Sequence, residues 1–174
     1  ATVNTWFHAT TGVNMMLYTI TDWLGLVPVF FCMISGVLGF IQMIKRKSIV
    51  KVDRDIIFLG IHYVIVICGY LVFEKIPINY RPVLINGFME VSYPSSTTLL
   101  VLSVMPTLGF QTKRRIKNDK IKNFVLIITV AFSVFMVIGR IISGVHWITD
   151  IIGGALLSTG LVLMYRAIIS LEVK

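Results

Sequence analysis

Long apolar runs recur along this chain, each closed by a cluster of charge. A run of about 20 residues with few charges is long enough for a helix to cross the hydrocarbon core of a bilayer. The pattern predicts five such spans: Trp23–Ile44, Ile56–Phe73, Ser95–Phe110, Phe124–Ile142 and Trp147–Ile169. The third is short for a bilayer and carries Pro106 near one end, but the charges flanking it demand a crossing. Ahead of the first span, Val3–Tyr18 mixes Trp6, Phe7, Val13, Met15, Met16, Leu17 and Tyr18 with polar residues. That is the pattern of an interfacial segment, so residues 1–20 are expected to lie on the outer leaflet. Asp22, directly after Thr21, reads as the N-cap of the first span.

Composition agrees with this pattern. Apolar residues make up 56% of the chain and charged residues 14%, against about 25% charged in an average soluble domain. The expected fold is all-α. It is one membrane-embedded domain over residues 1–174, an integral membrane helical bundle with five visible transmembrane helices. Cys32 and Cys68 fall inside spans and read as buried thiols, with no disulfide framework or thiolate metal site.

The net charge of +8 is topological and is no nucleic-acid signature. Lys45, Arg46, Lys47, Lys51 and Arg54 follow span one. Lys113, Arg114, Arg115, Lys117, Lys120 and Lys122 follow span three, and Arg166 and Lys174 close the chain. The positive-inside rule makes these segments cytoplasmic and the N-terminus external. An external terminus at Ala1 leads to the expectation of one more span upstream, six in all. The basic residues left over, Lys75, Arg81 and Arg140, all fall on the external side. Topology does not explain them, and function does.

Three motifs share that external edge. Span two ends in Glu-Lys-Ile-Pro-Ile-Asn-Tyr-Arg-Pro, residues 74–82, and span three opens with Ser-Tyr-Pro-Ser-Ser-Thr-Thr, residues 92–98. The hairpin between spans four and five reads Arg-Ile-Ile-Ser-Gly-Val-His-Trp-Ile-Thr-Asp, residues 140–150. His146 and Asp150 are four apart, on one helical face, so Asp150 can accept the Nδ1 proton and leave Nε2 free as nucleophile or base. Arg140 adds a fork for an oxyanion. Pro94, Ser95, Ser96 and Thr97 form a helix start, whose free amides and hydroxyls make an anion cradle. A plain helix cap is the competing reading, and three cations on the same side favour a phosphate or pyrophosphate.

This layout resembles the type 2 phosphatidic acid phosphatase superfamily, also called lipid phosphate phosphatases. Its signatures are Lys-x6-Arg-Pro, Pro-Ser-Gly-His and Ser-Arg-x5-His-x3-Asp, and the resemblance covers essentially the whole chain. It implies an enzyme without metal or cofactor, in which His146 attacks phosphorus to form a phosphohistidine and Asp150 orients it. Lys75, Arg81, Ser95 and Arg140 would bind phosphate, with the amide of Ser96 where the family has a glycine amide. The expected substrate is a lipid phosphate or diphosphate, and the expected setting a bacterial plasma membrane with the site on its external face.

The chain departs from the signatures in three places. Lys75 is one residue closer to Arg81 than the usual spacing, and Gly139 stands where the family has Ser. Thr97 replaces the histidine that serves the family as general acid, and a threonine hydroxyl cannot fill that role at neutral pH. General acid catalysis contributes roughly 10²–10⁴-fold. An alkoxide leaving group needs the proton more than a phosphate leaving a diphosphate does, which tilts the expectation toward isoprenoid diphosphates. Glu90 and His8 are the candidate substitute acids, and His62 reads as a polar contact inside the bundle. Two further readings stay open: a non-catalytic phospholipid-binding or transport protein on the same fold, and a phosphotransferase.

Overall fold

The computed structural model describes residues 2–171. Its helices are α1 (Thr2–Thr11), α2 (Met15–Leu24), α3 (Leu26–Arg46), α4 (Arg54–Lys75), α5 (Ser96–Arg115), α6 (Asp119–Ser143) and α7 (Ile148–Leu171). The chain is an all-α membrane bundle. By length and composition four segments can cross a bilayer: Met15–Arg46, which joins α2 to α3, then α4, α6 and α7.

The segment expected as the third span forms helix α5, 20 residues long, which is not among these four. It lacks the apolar run because it lies at the centre of the bundle, in contact with α3, α4, α6 and α7. Its side chains meet protein instead of lipid, so buried Thr97, Thr98, Ser103, Thr107, Gln111 and Thr112 are tolerated. Each polar group needs a partner there. Thr107 Oγ1 lies 3.0 Å from the Tyr63 hydroxyl, and Gln111 Nε2 donates to the Tyr165 hydroxyl at 2.8 Å. His62 is the expected core contact, with Nε2 3.1 Å from the Ser103 carbonyl.

Asp22 does not cap the first span. It lies inside α2, whose N-cap is Asn14, with its side chain accepting from the Leu17 amide at 2.9 Å. Apolar residues from Met15 onward extend the helix upstream, and Gly25 stays in helical geometry, so α2 runs almost directly into α3. Helix α2 packs along α6. The Asn14 amide donates to the Ser143 carbonyl at 2.9 Å, and Thr21 lies against Gly139. A Cβ at position 139 would stand 2.6 Å from Thr21 Cγ2, so only glycine allows this approach. Helix α1 folds over the start of α7, where Asn4 Nδ2 donates to Thr149 Oγ1 at 2.9 Å.

Between α4 and α5 the chain forms a small hairpin that the apolar pattern does not predict. Tyr80 pairs with Val91 and Ile85 with Phe88. The turn is Asn86–Gly87, both at positive φ, as a tight two-residue hairpin requires. The hairpin, the start of α5, the end of α6 and the start of α7 meet at one end of the bundle. The basic loops occupy the other, where Arg115 joins Asp53 at 3.2 Å and Asp55 at 2.8 Å.

Candidate active site

Helix α6 ends with Arg140 buried in its last full turn, and α7 begins with Asp150 in its first. His146 lies in the short link between them. Asp150 is completely enclosed and both its carboxylate oxygens are hydrogen-bonded. Oδ1 accepts from Asn79 Nδ2 at 2.9 Å, while Oδ2 accepts from the Trp147 amide at 3.0 Å and from the Ser92 hydroxyl. The Asp150 carbonyl also accepts from the Ser95 amide at 3.0 Å, which ties α7 to the start of α5.

The direct His146–Asp150 hydrogen bond expected from the four-residue spacing is not made. Nδ1 and Oδ2 are 3.8 Å apart, beyond hydrogen-bond range. The carboxylate turns to cap its own helix through the Trp147 amide, and Ser92 fills the gap, with Oγ 3.1 Å from His146 Nδ1. Because the Ser92 proton goes to Asp150, Nδ1 must be the donor to Ser92. That arrangement leaves a lone pair on Nε2. Burial lowers the His146 pKa to about 4, with Arg81 and Arg140 adding to the effect and Asp150 opposing it. The ring is therefore neutral at pH 7.

Two guanidiniums face this histidine's surroundings. Arg81 Nη2 pairs with Glu90 Oε2 at 3.1 Å, and Arg140 Nη2 pairs with Asp22 Oδ1 at 2.9 Å and also donates to the Thr97 hydroxyl. Tyr18 on α2 stacks against both, with its ring centroid 5.5 Å from Arg81 Cζ and 4.9 Å from Arg140 Cζ. A π-face shared by two cations moderates their repulsion. The other nitrogens of each guanidinium have no hydrogen-bond partner among the described residues. Eight buried side-chain N or O atoms lack a partner among the described residues, and five of them are Nε and Nη1 of Arg81, Nε and Nη1 of Arg140, and Nε2 of His146. Buried polar groups left unsatisfied cost about 1–3 kcal/mol each, more when charged. So dense a cluster of unpartnered cationic donors around a nucleophilic nitrogen suits an anion. A cavity of about 400 Å³ opens beside it, lined by Arg81, His146, Ser92, Ser96, Glu74 and Glu90 among others.

Not every residue expected in the phosphate site reaches this cavity. Ser95 is buried as the N-cap of α5, and its Oγ accepts from the Thr98 hydroxyl at 3.0 Å, so it shapes the cradle from behind. Ser96 lines the cavity. Thr97 points to Arg140 and into an adjoining groove. Lys75 ends α4 exposed, with no hydrogen bond or ion pair among the described residues, and does not line the cavity. Its shorter spacing to Arg81 leaves it on the helix while Arg81 is carried away by the hairpin. His8 packs edge-on against Trp147, ring centroids 5.7 Å apart.

The order of these residues along the chain, and the bundle that gathers them, are matched elsewhere. A family model described as the PAP2 superfamily matches residues 5–173. The chain belongs to the PAP2 superfamily. A PAP2 structure similar to it is the crystal structure of the first transmembrane PAP2 type phosphatidylglycerolphosphate phosphatase from Bacillus subtilis. The TM-score is 0.59 at 19% identity, covering 97% of this chain and 92% of that one. At that identity the likeness establishes the fold alone. No curated protein sequence matches the chain. The PAP2 assignment makes this a membrane phosphatase fold.

Within this PAP2 chain, four side chains that hold the site were not singled out for it from sequence: Ser92, Asn79, Tyr18 and Asp22. Ser92 and Asn79 had one usable signal, the Asn86–Gly87 turn between them, which marks a hairpin whose two arms carry 79 and 92. The Ser92 amide does donate to the Asn79 carbonyl at 3.1 Å. Tyr18 and Asp22 carry no such mark.

Proposed function

We propose that this protein is an integral-membrane lipid phosphatase that hydrolyses an isoprenoid diphosphate or a phospholipid phosphate through a phosphohistidine on His146. The observation that carries this reading is the cluster of five unpartnered buried atoms on Arg81, Arg140 and His146. The Nε and Nη1 donors that each guanidinium keeps free of protein partners suit the equatorial oxygens of a transferring phosphoryl group. A neutral imidazole with its lone pair on Nε2 suits in-line attack. Asp150, acting through Ser92, holds the productive tautomer and stabilises the charge that develops on the ring.

The mechanism needs no metal, because the guanidiniums do the work a cation clamp would otherwise do. Under the positive-inside rule the basic loops are cytoplasmic, so the site opens at the external interface, where phospholipid and isoprenoid headgroups lie. The experiment that tests the reading is an assay of purified protein against a panel of lipid mono- and diphosphates, with chelator present. Wild type should release phosphate and His146→Ala should not. Binding of phosphate analogues without turnover of any substrate would favour a lipid-binding protein on the same fold. Loss of wild-type activity on chelation, restored by a divalent ion, would refute the metal-free step.

A further inference from the structure

Once His146 Nε2 is bonded to phosphorus, a water must attack from the opposite side, and its proton needs an acceptor. His146 is then occupied. Asp150 is enclosed and accepts from Asn79, Ser92 and Trp147. The carboxylates left near the site are Glu74 and Glu90, which line the cavity, and Asp22, with Glu90 paired to Arg81 and Asp22 to Arg140. Thr97 is no base.

Of these carboxylates, Asp22 stands beside Thr97, the position of the family's usual acid. Asp22 and the Thr97 hydroxyl sit on the same atom of Arg140, Nη2, while its Nε and Nη1 donors have no protein partner among the described residues. Asp22 and Thr97 line a groove of about 340 Å³ that shares Tyr70, Ser96 and Leu99 with the cavity of His146. The groove therefore adjoins the cavity. The Asp22 side chain is 56% exposed while Arg140 beside it is 1% exposed, so the carboxylate opens onto the groove. Its helix is also held in place, by Thr21 against Gly139 and by the Asn14 amide on Ser143. Gly139 and Thr97, two of the departures from the family signatures, both touch α2 or its partner Arg140.

We propose that Asp22 is the general base of the dephosphorylation step, an inference that rests on the phosphohistidine reading above. The water oxygen bonds to phosphorus as the P–Nε2 bond breaks, and that electron pair returns to Nε2. The water proton passes to the Asp22 carboxylate, directly or across the Thr97 hydroxyl, and then to solvent. The products are inorganic phosphate and free His146. A site with a base for this step and no strong acid for the first suits a leaving group that departs without a proton, as the phosphate of a diphosphate does.

Rapid-quench kinetics with a lipid diphosphate labelled on its terminal phosphorus test this. Asp22→Asn should label the protein as fast as wild type and then stall, accumulating phosphoenzyme while steady-state turnover falls about 10²-fold or more. Asp22→Glu, which keeps a carboxylate, should recover part of the turnover and lose the accumulation. If Asp22→Asn slows labelling and turnover together, Asp22 only positions Arg140 and the proposal falls. Unchanged turnover in that variant also overturns it. A wild-type protein that neither turns over nor takes up label would remove the phosphohistidine reading itself, a result distinct from either failure of Asp22.

Discussion

The hydroxyl of Ser92 lies 3.1 Å from Nδ1 of His146 and hydrogen-bonds to Asp150, which is itself 3.8 Å from that nitrogen. The histidine is oriented by a relay of two residues. Ser92→Ala should therefore lower kcat by about 10-fold or more with little change in KM, since it frees the ring to adopt the wrong tautomer. Asp150→Asn should lower it further, because it disturbs both the relay and the cap on α7. Steady-state kinetics of the two variants check this. Equal activity of Ser92→Ala and wild type would remove Ser92 from the relay.

Acidification reports on His146. Burial lowers its pKa to about 4, with Arg81 and Arg140 reinforcing the effect, and the neutral ring is the nucleophile. The contribution of this group to kcat/KM should be flat from about pH 7 to pH 5 and should fall as pH drops through about 4. The sign for stability is the same. An ordinary histidine in the unfolded chain takes up its proton near pH 6.5, so folded-state stability is full above that value and declines on acidification toward pH 4. A kcat/KM profile with its acid limb near pH 6.5, traced to His146 by mutation, would contradict this account.

Helix α2 is held against α6 by an approach that only Gly139 permits. Gly139→Ala places a Cβ 2.6 Å from Thr21 Cγ2 and should destabilise the protein by about 1–3 kcal/mol. The companion change Thr21→Ser removes the methyl that is struck and keeps the hydroxyl, which donates to the Leu17 carbonyl at 2.9 Å. Thermal unfolding in detergent should show a lower Tm for Gly139→Ala and recovery in the double variant. Additive losses would show that the contact is not the cause.

The bundle was legible because membrane helices must carry long apolar runs, and α4, α6 and α7 fall where those runs are. Helix α5 had to be inferred from flanking charges, because a helix enclosed by its neighbours is free to bury Ser103, Thr107 and Gln111. Arg81, Arg140, His146 and Asp150 could be read from sequence because basic residues away from the cytoplasmic loops stand out. Ser92 was marked only indirectly, by the Asn86–Gly87 turn, since its contact with His146 exists only once the hairpin folds across the site. Asp22 was misread because capping statistics see the residues next to it, while its partner Arg140 is far along the chain. Lys75 matched a motif in kind but not in spacing, and the structure leaves it outside the cavity.

Thr97 bears on the choice of substrate. If the leaving group needs no proton, turnover of lipid diphosphates should exceed that of monophosphates by a large factor. Thr97→His should raise monophosphatase activity much more than diphosphatase activity, provided circular dichroism shows the variant folded. Efficient cleavage of monophosphates by wild type would mean that another group in the cavity, Glu74 or Glu90, donates the proton.

The central claim is a covalent bond between phosphorus and His146. Wild-type protein quenched during turnover of a phosphorus-labelled lipid diphosphate should carry label that is stable in base and lost in acid, as a phosphoramidate is. Peptide mapping should place it on the segment containing His146, and His146→Ala should take up none. Label retained by His146→Ala, or full wild-type turnover with no labelled protein at any quench time, would contradict the account.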